Sequence, residues 1–236
     1  MKLINEKRPH ILDANTEKLL TEAQDALSTP SNVYGMFSNA DLEFEDAIDK
    51  DGQAYPLTQG TFIKYLESDD RELRASAFRN VYKAYGAHNN TLGATLAGEV
   101  KKNVFNARTH HYRSARERAL SNNHIPEAVY DNLIKTVHKY LPLLHRYTKL
   151  RQELLGLDDL KMYDLYTPLV KDVKFEMPYE EAKSWMLKAL EPMGEEYLNV
   201  VKEGLDNRWV DVYENKGKRS GGYSSGGHLT NPFILL

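Results

Sequence analysis

Cysteine is absent from the 236 residues. Its absence excludes a disulfide framework and thiolate metal ligation and fits a reducing compartment, with the cytoplasm as the expected location. Long apolar runs are missing too. Nowhere do about 18 apolar residues follow one another, and Met1 is followed by Lys2, Asn5, Glu6, Lys7 and Arg8 instead of an apolar leader, so neither a membrane span nor a signal peptide is expected. Charge of one sign does not dominate: 31 basic and 34 acidic side chains leave a net charge of -3, too little to draw in nucleic acid or an anionic membrane. No internal repeat is evident. What is present, 41% hydrophobic residues, suffices for one substantial core or two modest ones.

Periodicity assigns most of the chain to helices. Leu19, Leu20, Ala23, Ala26 and Leu27 recur at helical spacing behind the candidate N-caps Asp13 and Asn15. Thr29, Pro30 and Ser31 are expected to end that helix. Leu42 and Phe44, then Tyr55 and Leu57, flank Asp49-Lys50-Asp51-Gly52, which predicts a β-hairpin. A short helix over 61–66 follows. Asp69-Asp70 opens a longer one, whose stripe Leu73, Ala77, Val81 and Tyr85 is expected to be buried. Another is expected from Thr91 to about Arg108, with Leu92, Leu96, Val100 and Val104 on one face and small residues such as Gly98 admitting a close neighbour. The pattern loosens from Tyr112 to Pro126, and Pro126 suits the start of the next helix. Pro142 is expected to divide the stretch up to the C-capping Gly156 into two helices. Helical spacing returns over 179–190 and 193–205, after which Trp209 to Tyr213, Tyr223 to Ser225 and Phe233 to Leu236 read as strands.

None of the eight histidines has the spacing of a metal site. No histidine is followed by glutamate, as a His-Glu-x-x-His helix requires. His138 and His145 lie two helical turns apart, roughly 10 Å, and His110-His111 are expected to be solvated. The glycine-rich stretch from Gly217 to Gly227 does not fit a phosphate loop, because Arg219 follows Gly217-Lys218 where serine or threonine is needed. Gly222-Tyr223-Ser224-Ser225-Gly226 satisfies Gly-x-Ser-x-Gly literally. Its context lacks the strand-to-helix turn of a nucleophile elbow, so a serine hydrolase is not expected. Two readings of the stretch stay open: a flexible hairpin tip, or a loop whose bare backbone and large side chains, Tyr223 and His228, close over an extended peptide.

Several ordered blocks carry a resemblance. Asn123-His124-Ile125-Pro126-Glu127, Val129-Tyr130-Asp131-Asn132-Leu133, Leu141 to Tyr147, Met162-Tyr163-Asp164-Leu165-Tyr166 and Arg208 to Gly226 resemble oligoendopeptidase F, a family of zinc metallopeptidases related to thimet oligopeptidase. Asn39 to Leu42, Leu66 to Ser68 and Gly98 to Lys102 extend the likeness over nearly the whole chain. The resemblance implies a mainly α, two-lobed helical peptidase fold for short unstructured peptides, here with a small β-hairpin near the N-terminus and a short β-region at the C-terminus. Residues 1–107 would be part of the N-terminal helical domain and 108–236 the first part of the catalytic domain, stopping before the zinc helix. Gly221, Gly222, Tyr223, Ser224, Ser225 and Gly226, with His228, would border the substrate. Gly222 stands where alanine is frequent, and Gly227-His228 replaces a pair that usually ends in tyrosine. Zinc would belong to the complete enzyme, and this chain would hold neither catalytic zinc nor a catalytic residue. Surfaces left uncovered would be open to self-association. The alternative is a non-catalytic helical module that binds peptides or proteins.

Overall fold

A computed structural model describes residues 2–170, 177–213, 215, 218 and 221–236. Its helices are α1 (Lys2–Lys7), α2 (Ala14–Leu27), α3 (Thr29–Met36), α4 (Gln59–Leu66), α5 (Arg71–Gly86), α6 (Asn89–Thr109), α7 (Ala115–Ser121), α8 (Glu127–Leu154), α9 (Tyr179–Ala189) and α10 (Glu195–Asp206). The strands β1 (Ala47–Ile48) and β2 (Ala54–Tyr55) form one small sheet, and β3 (Val210–Asp211), β4 (Tyr223–Ser225) and β5 (Phe233–Leu235) another. The fold is therefore mainly α. Contacts divide it into two units, Met1–Glu45 with Phe78–Leu165, and Asp46–Ala77 with Tyr166–Leu236.

In the first unit, local chemistry sets the helix ends. Asp13 caps α2, its carboxylate accepting from the amides of Asn15 and Thr16, both at 3.1 Å, and from the Thr16 hydroxyl at 2.6 Å. The Thr16 hydroxyl and these amides hold the Asp13 carboxyl below its ordinary range. Pro30 does not leave a loop behind α2. It stands in the first turn of α3, where its fixed φ and missing N–H are no loss. A Cβ on Gly98 would lie 2.7 Å from Pro30 Cγ, so glycine lets α6 close on α3. Leu96 and Val100, expected on a packed face of α6, are exposed.

Helix α8 is one helix, not two. Pro142 sits inside it, where the amide hydrogen bond that proline cannot make leaves a carbonyl at exposed His138 for water to satisfy. The end at Gly156 is as the sequence predicts. Its amide donates to Glu153 O at 3.1 Å, that of Leu157 to Gln152 O at 3.1 Å, and Gly156 takes φ +66°, the pattern of a Schellman cap. Arg151, buried in the last turn, donates to Asp164 O at 3.2 Å and to the Tyr147 hydroxyl at 3.2 Å. Asp164 itself is fully buried and accepts from the Lys161 amide at 2.9 Å.

The second unit gathers Ala47, Leu57, Leu66, Leu73 and Ala77 into a core. Its hairpin is shorter than Leu42 to Leu57 and is closed by Asp49, whose carboxylate accepts from the amides of Asp51 at 2.9 Å and Gln53 at 2.8 Å. Asp70 caps α5 through the Glu72 amide at 2.9 Å and also takes the hairpin's Lys50 amide at 3.1 Å. Leu73, Ala77 and Val81 of the expected stripe are buried.

The larger sheet has the order β3-β5-β4, with β5 parallel to β3 and antiparallel to β4. Strand β5, last in the sequence, thus lies between β3 and β4. Strand β3 leaves α10 through a left-handed Arg208 at φ +63°, and Trp209 lies so close to the helix that a Cβ on Gly204 would be 2.7 Å from its ring.

Candidate functional site

The sequence singles out Gly221, Gly222, Tyr223, Ser224, Ser225, Gly226 and His228, and they form a continuous rim on one side of the β3-β5-β4 sheet. Gly217, Arg219 and Ser220 lie outside the described residues. Gly221 turns the chain into β4 with φ +93°. Tyr223, Ser224 and Ser225 make β4 itself, each exposed, with the Tyr223 ring 6.3 Å from that of Phe233. Gly226 begins the connection to β5, which the Thr230 hydroxyl closes by accepting from the Gly227 amide at 2.9 Å. His228 is exposed in that turn.

Hydrogen-bond phasing fixes which backbone groups of β4 face outward. On β5, the amides of Ile234 and Leu236 donate to Trp209 O at 2.7 Å and Asp211 O at 2.9 Å, both toward β3. Alternate residues of a strand direct their peptide groups to opposite edges, so Phe233 and Leu235 face β4. Their partners are Ser225 and Tyr223. The N–H and C=O of Ser224, with the C=O of Gly222 and the N–H of Gly226 on either side, therefore point away from the sheet. Among the described residues no strand pairs with that edge. By the same alternation, Ser224 projects from one face of the sheet and Tyr223 and Ser225 from the other.

One anchor of this rim was not apparent from the sequence. The Lys218 ammonium, nearly buried, donates to Asp211 O at 3.1 Å and Tyr213 O at 2.8 Å and pairs with the Asp211 carboxylate at 3.2 Å. Its three N–H donors are matched by three acceptors at the end of β3. The connection toward β4 is tied down there. A lysine in a turn-rich stretch gives no sign of such burial.

Among the described residues, no group of three His, Asp or Glu side chains is placed to hold an ion. His138 and His145 are both exposed on continuous α8. His110 departs from the expectation of a solvated side chain: it is half-buried, with Nδ1 2.8 Å from Asn106 O and Nε2 3.8 Å from Glu17. A cavity of about 280 Å³ in the first unit is bordered by Glu6, His10, Tyr112 and His124. His10 stacks on Tyr112 at 3.6 Å, with Nδ1 2.8 Å from His110 O, and His124 Nδ1 lies 2.9 Å from Glu6. One ring nitrogen of each histidine is thus engaged in holding chain segments together.

Comparison with known proteins bears on both units. A model of Peptidase family M3 matches residues 64–236, and one described as Oligopeptidase F matches residues 1–44. Oligopeptidase PepF of Bacillus subtilis (strain 168) is 57% identical over 233 residues, which take in 99% of this chain and 35% of the relative. Group B oligopeptidase PepB of Streptococcus agalactiae is 46% identical over 97% of this chain and 38% of its own length. Among solved structures, oligoendopeptidase-F from Enterococcus faecium superposes with a TM-score of 0.70 at 42% identity, covering 87% of this chain and 39% of its own. The chain spans little more than a third of the length of these relatives.

Proposed function

Because the chain belongs to Peptidase family M3, we propose that it is part of an oligopeptidase and that the open edge of β4 receives an extended stretch of substrate backbone. The outward peptide groups of Gly222, Ser224 and Gly226 carry this reading. Added as a further strand, a peptide would pair with groups every amino acid possesses, so recognition would tolerate many sequences while demanding an extended, unpaired chain. Short unstructured peptides meet that demand. Glycine at 222 and 226 leaves the edge unobstructed, while Tyr223, Ser225 and His228 supply side chains for neighbouring contacts.

Residues 1–107 are assigned to the N-terminal helical domain of the whole enzyme, and 108–236 to the first part of its catalytic domain. Zinc would supply Lewis-acid chemistry in that whole enzyme. The described residues bring together no three His, Asp or Glu side chains that would fit such an ion. The 236-residue chain is expected to cleave nothing by itself. Turnover of a quenched oligopeptide that a chelator abolishes and that survives repurification would contradict this.

Ser224→Pro tests the edge directly, because it deletes an outward N–H while leaving the ladder bonds of Tyr223 and Ser225 in place. Affinity for a labelled unstructured oligopeptide, read by fluorescence anisotropy, should fall about tenfold, the equivalent of roughly one main-chain hydrogen bond. Ser224→Thr should bind as the wild type does. Equal binding by the proline variant would sink the reading.

A further inference from the structure

The wall of the 280 Å³ cavity in the first unit brings charges of both signs beside an apolar surface. Glu6 and Lys7 come from the end of α1, His10 from the short turn after it, Tyr112 from the segment between α6 and α7, Ser121 from the end of α7 and His124 from just past it. Ile125 and Pro126 add an apolar stretch, and the stacked rings of His10 and Tyr112 a flat one.

The hydrogen bonds already made sort the wall into acceptors and donors. A carbonyl and a carboxylate only accept, so His10 donates through Nδ1 to His110 O, and His124 through Nδ1 to Glu6. Each neutral ring then keeps Nε2 as an acceptor. The Ser121 hydroxyl gives its proton to Arg118 O at 2.8 Å, which leaves its oxygen to accept. With the Glu6 carboxylate, these atoms suit an ammonium group. Donors are supplied by the Lys7 ammonium and the Tyr112 hydroxyl, neither of which makes a hydrogen bond among the described residues. His124 is also held against its backbone preference. It is the left-handed residue of the cap ending α7, at φ +54°, with its amide donating to Ser121 O and that of Ile125 to Leu120 O, both at 3.1 Å. Glycine takes that conformation freely but would bring no imidazole to the cavity, and strain of this kind concentrates at ligand sites.

We propose that this cavity binds a free L-α-amino acid with an apolar side chain. The ligand's ammonium group meets Glu6, Ser121 Oγ and imidazole Nε2, its carboxylate meets Lys7 and Tyr112, and its side chain lies against Ile125, Pro126 and the His10–Tyr112 pair. Size agrees with this assignment: a cavity of about 150 Å³ holds benzene, so 280 Å³ admits an aromatic or branched side chain together with its charged head. The cavity draws on the first unit alone, and the proposal is independent of the β4 edge.

Two-dimensional NMR of the chain carrying ¹⁵N-labelled histidine follows the imidazoles while L-phenylalanine is added at about pH 7.5, above the ordinary imidazole range. The resonances of His10 and His124 should shift saturably, while those of His138 and His145, exposed on α8, stay in place. Two truncated probes divide the ligand: 3-phenylpropionate lacks its ammonium group and 2-phenylethylamine its carboxylate. Each should bind about tenfold more weakly than L-phenylalanine, the loss expected for one charge-assisted contact. Lys7→Gln should weaken L-phenylalanine by about the same factor and leave 2-phenylethylamine unaffected, a split that general damage to the site would not produce. No saturable shift up to the solubility limit of L-phenylalanine would overturn the proposal, as would equal affinity for all three probes or equal weakening of L-phenylalanine and 2-phenylethylamine by Lys7→Gln. Tighter binding of glycyl-L-phenylalanine than of L-phenylalanine would also overturn it, by making a dipeptide the ligand.

Discussion

Gly221 and Gly222 are neighbours under different constraints. Gly221 has φ +93°, a conformation any other L-residue adopts only under strain. At Gly222 a Cβ would meet Leu235 O at 3.4 Å, an ordinary contact. Gly221→Ala is therefore expected to destabilise the fold by about 1–2 kcal/mol, and Gly222→Ala to be nearly neutral, as thermal unfolding would reveal. Comparable losses at both positions would contradict the assignment. The sequence marks both only as glycines, because the direction in which the chain enters β4 decides which one needs left-handed backbone. Lys218 was hidden for a related reason: two of its three acceptors are backbone carbonyls, which no side-chain pattern encodes.

Elements built from local signals were the most legible. The Asp13 cap of α2, the Asp49 to Gly52 turn, the start of α5 after Asp70 and the Gly156 cap each depend on residues within a few positions. Continuity of α8 through Pro142 was not legible, since it depends on two long helical flanks outweighing a local break. Asp70 joins α5 to the hairpin, which makes it a test at this scale. Burial alone would raise its pKa, but amide hydrogen bonds from Lys50, Leu73 and Glu72 outweigh that and leave it lowered. A lowered folded-state value means that Asp70 contributes stability above its unfolded value of about 3.9, and that the contribution disappears as pH falls through the folded value. Asp70→Asn keeps an N-cap acceptor without the titration. Between pH 6 and pH 2.5 its melting temperature should fall less than that of the wild type, whereas parallel curves would show that the charge of Asp70 contributes nothing.

At the scale of the molecule, the sequence blocks that resemble the family turn out to be mostly framework. Asn123 to Glu127 turns α7 into α8, with His124 at φ +54°, and Asp164 is buried beneath the end of α8. The order β3-β5-β4 could not be read from the chain, because parallel pairing of β3 with β5 joins residues more than twenty positions apart and leaves no turn signature. That order leaves β4 at an edge, and with it the claim that the edge carries substrate backbone. Amide hydrogen exchange resolved by residue, with and without a saturating unstructured oligopeptide, tests this claim most directly. The outward amides of Ser224 and Gly226 should gain protection on peptide addition, while those of Tyr223 and Ser225, paired with β5, change little. Unchanged exchange at both outward amides, with the peptide demonstrably bound, would contradict the account.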